Sequence, residues 1–304
     1  MQSDPFNPVV GAAEVLAPDL RRVLAPNASP MTYRGTNTYI LGEGAVAVID
    51  PGPAAPDHQR AILDALRPGE VISHILVTHS HIDHSPLARP LAEATGAAIH
   101  AYGPSHAGRS AVMQDLAAQG LTGGGEGVDV GFAPDEILAH GETVDAKSWS
   151  MTALWTPGHM SNHLCFAAGD AVFTGDLVMG WASTMVSPPD GDLSAFMASA
   201  QMLAQRSDAV FYPGHGAPID QPQDRANWLI AHRQSREAEI LHHLTASETP
   251  MSIPDLTRLI YTDAPKGLMG AAARNVFAHL IDLHSRGRVK ADPQLSLTAH
   301  FGPR

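Results

Sequence analysis

The chain has 304 residues, 44% of them hydrophobic, and carries 19 Lys and Arg against 31 Asp and Glu for a net charge of −12. Its single cysteine, Cys165, excludes an internal disulfide and a thiolate zinc cage. No stretch approaches the apolar length of a membrane span, and Met1–Pro5 lacks the basic start and apolar core of a signal peptide, so a cytoplasmic location is expected. The charge is unevenly placed: residues 1–217 hold 9 Lys and Arg against 22 Asp and Glu, and residues 218–304 hold 10 against 9. The first part is a poor non-specific binder of polyanions, and the second is only neutral.

Residues 1–30, rich in Pro, Asn and Ala, read as an irregular lead-in with an edge strand or two. Thr38–Leu41 and Ala45–Ile49 flank Gly42-Glu43-Gly44, a hairpin signal, and Pro51-Gly52 stops the second strand just after Asp50. His58–Leu66 has apolar residues at helical spacing, and Ile72–Val77 is a buried strand. Pro86–Thr95 reads as a helix capped by Gly96, before a strand at Ala97–Ala101. This alternation predicts a layered α/β domain. Residues 103–131, with Gly123-Gly124-Gly125, read as an exposed loop or lid.

Strands resume near Thr143–Val144, Trp149–Trp155, Leu164–Ala168 and Ala171–Thr174. A helix over Leu193–Ala204 and a strand over Ala209–Tyr212 follow. The order repeats that of the first half and has the look of an internal duplication. A composition shift near Pro218–Pro222 marks a boundary, giving domains 1–217 and 218–304. Beyond it come a helix over Gln223–Leu244 with Trp228 and Leu229 among its apolar positions, and a short helix capped at Ser252. A helix over Gly270–Ser285 and a hairpin around Asp292-Pro293 complete the order of a winged-helix module.

The chemistry concentrates in Thr78-His79-Ser80-His81-Ile82-Asp83-His84, which leaves the strand through Val77. Three imidazoles and a carboxylate so close together are costly in a core unless a metal supplies their partners. Neutral imidazole nitrogen and carboxylate oxygen are zinc's usual non-sulfur ligands. More ligands should then sit at later strand ends, and Thr156-Pro157-Gly158-His159, Thr174-Gly175-Asp176 and Gly214-His215-Gly216 meet that expectation.

Across residues 30–217 these motifs, Asp50 to His215 in this order, resemble the metallo-β-lactamase superfamily. The resemblance implies a four-layer αβ/βα sandwich with two divalent ions per chain, zinc first, with manganese or iron as alternatives. It implies that His79, His81 and His159 hold one ion, Asp83, His84 and His215 the other, and that Asp176 bridges them. Asp50 would orient a ligand imidazole from behind. His163 is read as seating its loop, and Cys165 as an inert buried thiol. Two such ions bring a bridging water to a pKa of about 7, so a hydroxide is the expected nucleophile. Asp83 is the expected catalytic residue that orients it. Trp181, Thr184 and Met185, following Asp176, are expected to line the substrate pocket.

The long Arg-containing helix and winged helix after Tyr212–Gly216 resemble the β-lactamase-like protein 2 group, which includes a single-strand endoribonuclease as well as hydrolases. Two enzyme readings follow: hydrolysis of a small ester, thioester or lactone, or phosphodiester cleavage of single-stranded RNA. The acidic catalytic half and the lack of a basic stripe favour the first. The Gly270–Ser285 helix offers only Arg274 before its end, although Arg286, Arg288 and Lys290 cluster beyond. The module is therefore expected to cover the active-site mouth or to join two subunits of a homodimer. A metal-fold ligand sensor that binds DNA is a third reading, and the intact ligand set argues against it.

Overall fold

The computed structural model describes residues 6–123 and 127–304, so Gly124 and Gly125 of the expected lid lie outside the described residues. The first sheet runs in chain order through β1 (Ala13–Ala17), β2 (Leu20–Leu24), β3 (Asn37–Leu41), β4 (Ala45–Ile49), β5 (Val71–Leu76), β6 (Ala98–Ala101) and β7 (Glu136–Ile137). β3 and β4 form the expected antiparallel hairpin, with Gly42 and Gly44 at φ of 101° and 72°, where a side chain would be strained. α1 (Pro56–Asp64) carries the chain from β4 to its parallel neighbour β5, and α2 (Ala88–Thr95) from β5 to parallel β6. Gly96 ends α2 in the left-handed region at φ 77°, as its position after Thr95 predicts.

The second sheet has the order β12-β11-β10-β9-β8, from β8 (Thr143–Ala146), β9 (Trp149–Trp155), β10 (Leu164–Ala168), β11 (Ala171–Gly175) and β12 (Val210–Pro213). α4 (Leu193–Ala204) makes the crossover from β11 to parallel β12. Tyr39, Ile49, Leu76, Phe166, Phe173 and Tyr212 pack between the two sheets. Outside the first sheet, Ile62 of α1 and Leu91 of α2 close its other face. Phe196 and Leu203 of α4 do the same for Val172 and Phe211 of the second. Strands covered on both faces read as continuous apolar runs, which is why Ala45–Ile49 lacks alternation. The result is the four-layer αβ/βα sandwich.

α5 (Pro222–Ala246) leads into the winged-helix module: β13 (Met251–Ser252), α6 (Ile253–Ile260), a 3-10 turn at Lys266–Leu268, α7 (Met269–Ser285), β14 (Val289–Asp292) and β15 (His300–Pro303). Ser252 Oγ caps α6 by accepting from Asp255 N–H at 3.3 Å, as read from sequence. The three strands pair in the order β13-β15-β14, so a third strand joins the expected hairpin.

Two expectations need correction. Residues 103–131 are not wholly loop, because α3 (Ala111–Ala118) lies inside them. Its Met113 and Leu116 are buried against Ile240, Leu256 and Phe277 of the C-terminal core. That partner lies more than a hundred residues away, and a short apolar helix beside a glycine run shows no sign of it. Trp228, expected as an apolar packing position of α5, is 47% exposed. It stacks on His232 and lies under Arg225 instead of entering the core. α5 itself serves both cores, with Leu229 against the second sheet and Ile240 and Leu244 in the C-terminal cluster.

Candidate metal centre and substrate cavity

The sandwich brings five strand ends to one edge. Asp50 follows β4, His79 to His84 follow β5, His159 follows β9, Asp176 follows β11 and His215 follows β12. Glycines permit the close approach: at Gly214 an added Cβ would collide with Asp176 Oδ1, and Gly175 stands at φ 46° against Thr78 and His163. All seven side chains expected as ligands are buried here, none more than 6% exposed.

They form groups whose donor atoms face one another: His79, His81 and His159; Asp83, His84 and His215; and His79, His84 and Asp176. His81 Nδ1 lies 3.0 Å from both His79 Nε2 and His159 Nε2. In the second group His84 Nε2 is 3.4 Å from His215 Nε2, and Asp83 Oδ2 is 3.2 Å from His215 Nε2. Asp176 spans both, with Oδ1 3.5 Å from His84 Nε2 and Oδ2 3.6 Å from His159 Nε2 and 3.3 Å from His215 Nε2. A tetrahedral zinc with bonds of about 2.05 Å has ligand–ligand edges of about 3.3 Å, so these spacings suit it.

The outer contacts fix the tautomers. Met185 O accepts from His159 Nδ1 at 2.8 Å and Gly35 O from His215 Nδ1 at 3.1 Å. Asp50 Oδ2 accepts from His84 Nδ1 at 2.9 Å. Thr78 Oγ1 donates to Asp50 Oδ2 at 2.8 Å, so toward His79 Nδ1, 2.9 Å away, it can only accept. Each of these four rings therefore holds its proton on the outside and turns Nε2 inward. Asp50 does this from a left-handed backbone at φ 50°, with Thr78 N–H donating to its Oδ1 at 2.7 Å. His163 accepts the Asp176 N–H on Nε2 at 3.3 Å and is held by Thr156 Oγ1, which matches the seating role read from sequence.

The charges of the cluster also suit a cation. Burial, reinforced by neighbouring imidazoles, pushes His79 well below the usual histidine range and His81 to about 3, leaving neutral rings with free lone pairs. Burial also pulls on His215, but the Asp176 and Asp83 carboxylates outweigh it and hold it at about 10. His84 is raised well above its ordinary value in the same way. A divalent cation would take the place of those protons. Asp176 Oδ1 is buried with no hydrogen-bond partner, and a cation would supply one. Cys165 is fully buried and its thiol is pushed up to about 12 by burial, so it offers no thiolate nucleophile.

His81, Asp83, His159, Asp176 and His215 open onto a cavity of about 240 Å³. Met31, Met179, Trp181 and Met185 form its wall on the catalytic side. Tyr261, Leu268, Ala271, Ala272 and Asn275 close it from the C-terminal module, which thus covers the site's mouth. Thr184, expected beside the substrate, is corrected: it is fully buried, and its hydroxyl donates to the Asp176 and Leu177 carbonyls at 2.9 Å each. It shapes the loop from behind while Trp181 and Met185 face the cavity. Tyr261, Leu268 and Asn275 carried no local signal, since their approach depends on how two distant parts pack.

Fold and side-chain cluster together define a hydrolase of the αβ/βα class with a candidate His/Asp metal site. The chain belongs to the metallo-beta-lactamase superfamily: the model of that family matches residues 31–215, and the beta-lactamase associated winged helix domain matches residues 252–296. The protein is 28% identical over 292 residues to a beta-lactamase-like protein 2 homolog of Drosophila melanogaster, covering 93% of each chain. It is 31% identical over 243 residues to an atrochrysone carboxyl ACP thioesterase of Aspergillus fumigatus, covering 77% of this chain and 67% of that one. A metallo-beta-lactamase family protein from Thermus thermophilus shares the fold with a TM-score of 0.75 at 24% identity, over 95% of this chain and all of that one. Among the described residues no helix is long and apolar enough to cross a membrane.

Proposed function

We propose that the protein is a binuclear metal-dependent hydrolase, with zinc as its metal, that cleaves a small ester, thioester or lactone. The observation that carries this reading is the cavity. It is largely apolar, opens onto the ligand cluster, and has no lysine or arginine among its lining residues. A substrate with an uncharged acyl body is desolvated there at little cost, whereas the flanking phosphates of an RNA strand would meet no cation along its wall. The thioesterase named above supports the same chemistry for a relative of similar sequence.

His79, His81 and His159 would hold one ion, Asp83, His84 and His215 the other, and Asp176 both. Bound there, such ions supply an activated water nucleophile near neutral pH and a Lewis acid for the acyl oxygen. Asp83, which also accepts from Thr36 Oγ1 at 3.4 Å, would orient the attacking oxygen. The apolar wall holds the acyl group, and the C-terminal residues keep bulk water out.

Single-stranded RNA would need a cationic track leading to the site. Arg286, Arg288 and Lys290 do not line the cavity, and Arg286 is engaged with Glu237 and Asp282. Purified metal-loaded protein should therefore turn over at least one member of a panel of thioesters, esters and lactones while leaving a short single-stranded RNA intact. Cleavage of the RNA with no acyl turnover would replace this reading with the nuclease one.

A further inference from the structure

Asn275 stands on α7, comes from the C-terminal module, and lines the metal-facing cavity while only 9% exposed. Its side-chain oxygen is already engaged twice. Val186 N–H donates to Oδ1 at 3.0 Å, and Arg233 Nη1 donates to the same atom at 3.1 Å. Both partners are obligate donors, so the atom they meet must be the oxygen and the amide cannot be flipped. The nitrogen therefore points the other way. Among the described residues Nδ2 donates to no protein acceptor, yet it is not one of the sealed polar atoms of the interior. The cavity is what remains for it to face.

The position is held firmly. Next to it on α7, Arg274 Nη1 donates to Thr122 O at 2.8 Å and Pro188 O at 3.0 Å, tying the helix to the catalytic half. Met185, the neighbour of Val186, accepts from the ligand His159 through its carbonyl. One short path thus connects the amide to the metal cluster. An unspent amide donor in a mostly apolar chamber costs free energy unless a ligand oxygen meets it.

We infer that Asn275 binds substrate: its Nδ2–H donates to an oxygen of the acyl group held in the cavity, so the C-terminal module supplies a specificity contact as well as a cover. This rests on the acyl-hydrolase reading. A hydrocarbon group that fills the cavity without offering an acceptor leaves the amide unpaired and is bound less well.

Two substitutions separate the two ends of the amide. Asn275→Asp keeps an oxygen for Val186 and Arg233 and loses the donor. Asn275→Leu loses both. The probe is benzohydroxamate, an acyl compound with an apolar ring, titrated calorimetrically into metal-loaded protein and requiring no turnover. Both variants should bind it about tenfold or more weakly than wild type with metal content unchanged. Only Asn275→Leu should melt at a lower temperature. On any ester the wild type cleaves, the loss should fall in KM more than in kcat if the contact forms in the ground state. Absence of ester turnover by the wild type would count against the proposed function, and the titration would still judge the amide. Wild-type affinity in Asn275→Asp, a melting temperature or metal content lost in that variant, or no binding of the hydroxamate by wild type would each overturn the inference.

Discussion

Replacing Asp176 with Asn should lower turnover about 10³-fold or more and leave the protein unable to hold both ions, because the lost charge serves both halves of the cluster. Its two oxygens approach His84 on one side and His159 and His215 on the other. His215 and His84 overcome the opposing effect of burial and hold its carboxyl well below the usual carboxylate range, so the folded chain contains it as an anion. Asn keeps the shape and the backbone contact to His163 and removes the charge. The effect should also appear in stability. Each of two ions, free at a thousand times its Kd, stabilises the folded state by about 4 kcal/mol, or about 8 kcal/mol together. Unfolding entropy of about 2.1 cal/mol/K per residue converts that to roughly 13 °C for a chain of 304 residues. Wild type should lose a shift of that order on chelation, and Asp176→Asn should lose well under half of it. Equal chelator shifts in the two proteins would show that Asp176 is no ligand.

Arg233 is the second site where a single change should be felt widely. It is 1% exposed and is among the largest fully buried side chains. Its guanidinium donates to Asn275 Oδ1 and to the Thr184 carbonyl and lies 5.4 Å from the Phe196 ring centre. Its hydrogen-bond partners among the described residues are an amide oxygen and a carbonyl, with no carboxylate, and burial draws its pKa down to about 10. Two effects therefore compete. Charged hydrogen bonds contribute about 1.5–3 kcal/mol each, while an unpaired buried cation carries a desolvation cost of several kcal/mol. Arg233→Ala removes the bonds, orphans the Thr184 carbonyl and opens a cavity, and should destabilise by about 3 kcal/mol. Arg233→Met fills the space and removes the charge, so it should cost about 1 kcal/mol or less. Both variants remove α5's hold on Thr184, leaving only Arg225 on the Met179 and Ala182 carbonyls, and both should reduce kcat/KM about tenfold or more. Thermal melts and steady-state kinetics on the pair check this. A Met variant with wild-type kcat/KM would mean the loop needs no tether at Thr184.

What the chain shows on its face depends on the range over which each signal acts. The ligand motifs are short, each follows an apolar strand, and steric rules at Gly175 and Gly214 force them toward one edge, so their gathering could be read before any coordinates. The same holds for the hairpin around Gly42 and Gly44 and the cap at Ser252, where one residue type satisfies one local need. Thr184 is misleading because nearness to Asp176 in sequence says nothing about which way its hydroxyl turns, and two carbonyls claim it. α3 is hidden because its buried face meets a core built from residues beyond 240. Asn275 and Arg233 are invisible for the same reason: 89 and 49 residues separate them from Val186 and Thr184, the loop positions they hold. A polar residue on a helix looks solvated until its long-range partner is known.

Elemental analysis of protein purified without chelator, paired with the same measurement on Asp176→Asn, decides whether this cluster is a two-metal site. Wild type should carry about two divalent transition-metal ions per chain, zinc foremost, removable by chelator and restored on addition of metal. Wild-type protein that holds no such metal, and cannot be made to bind any, would contradict a two-metal site.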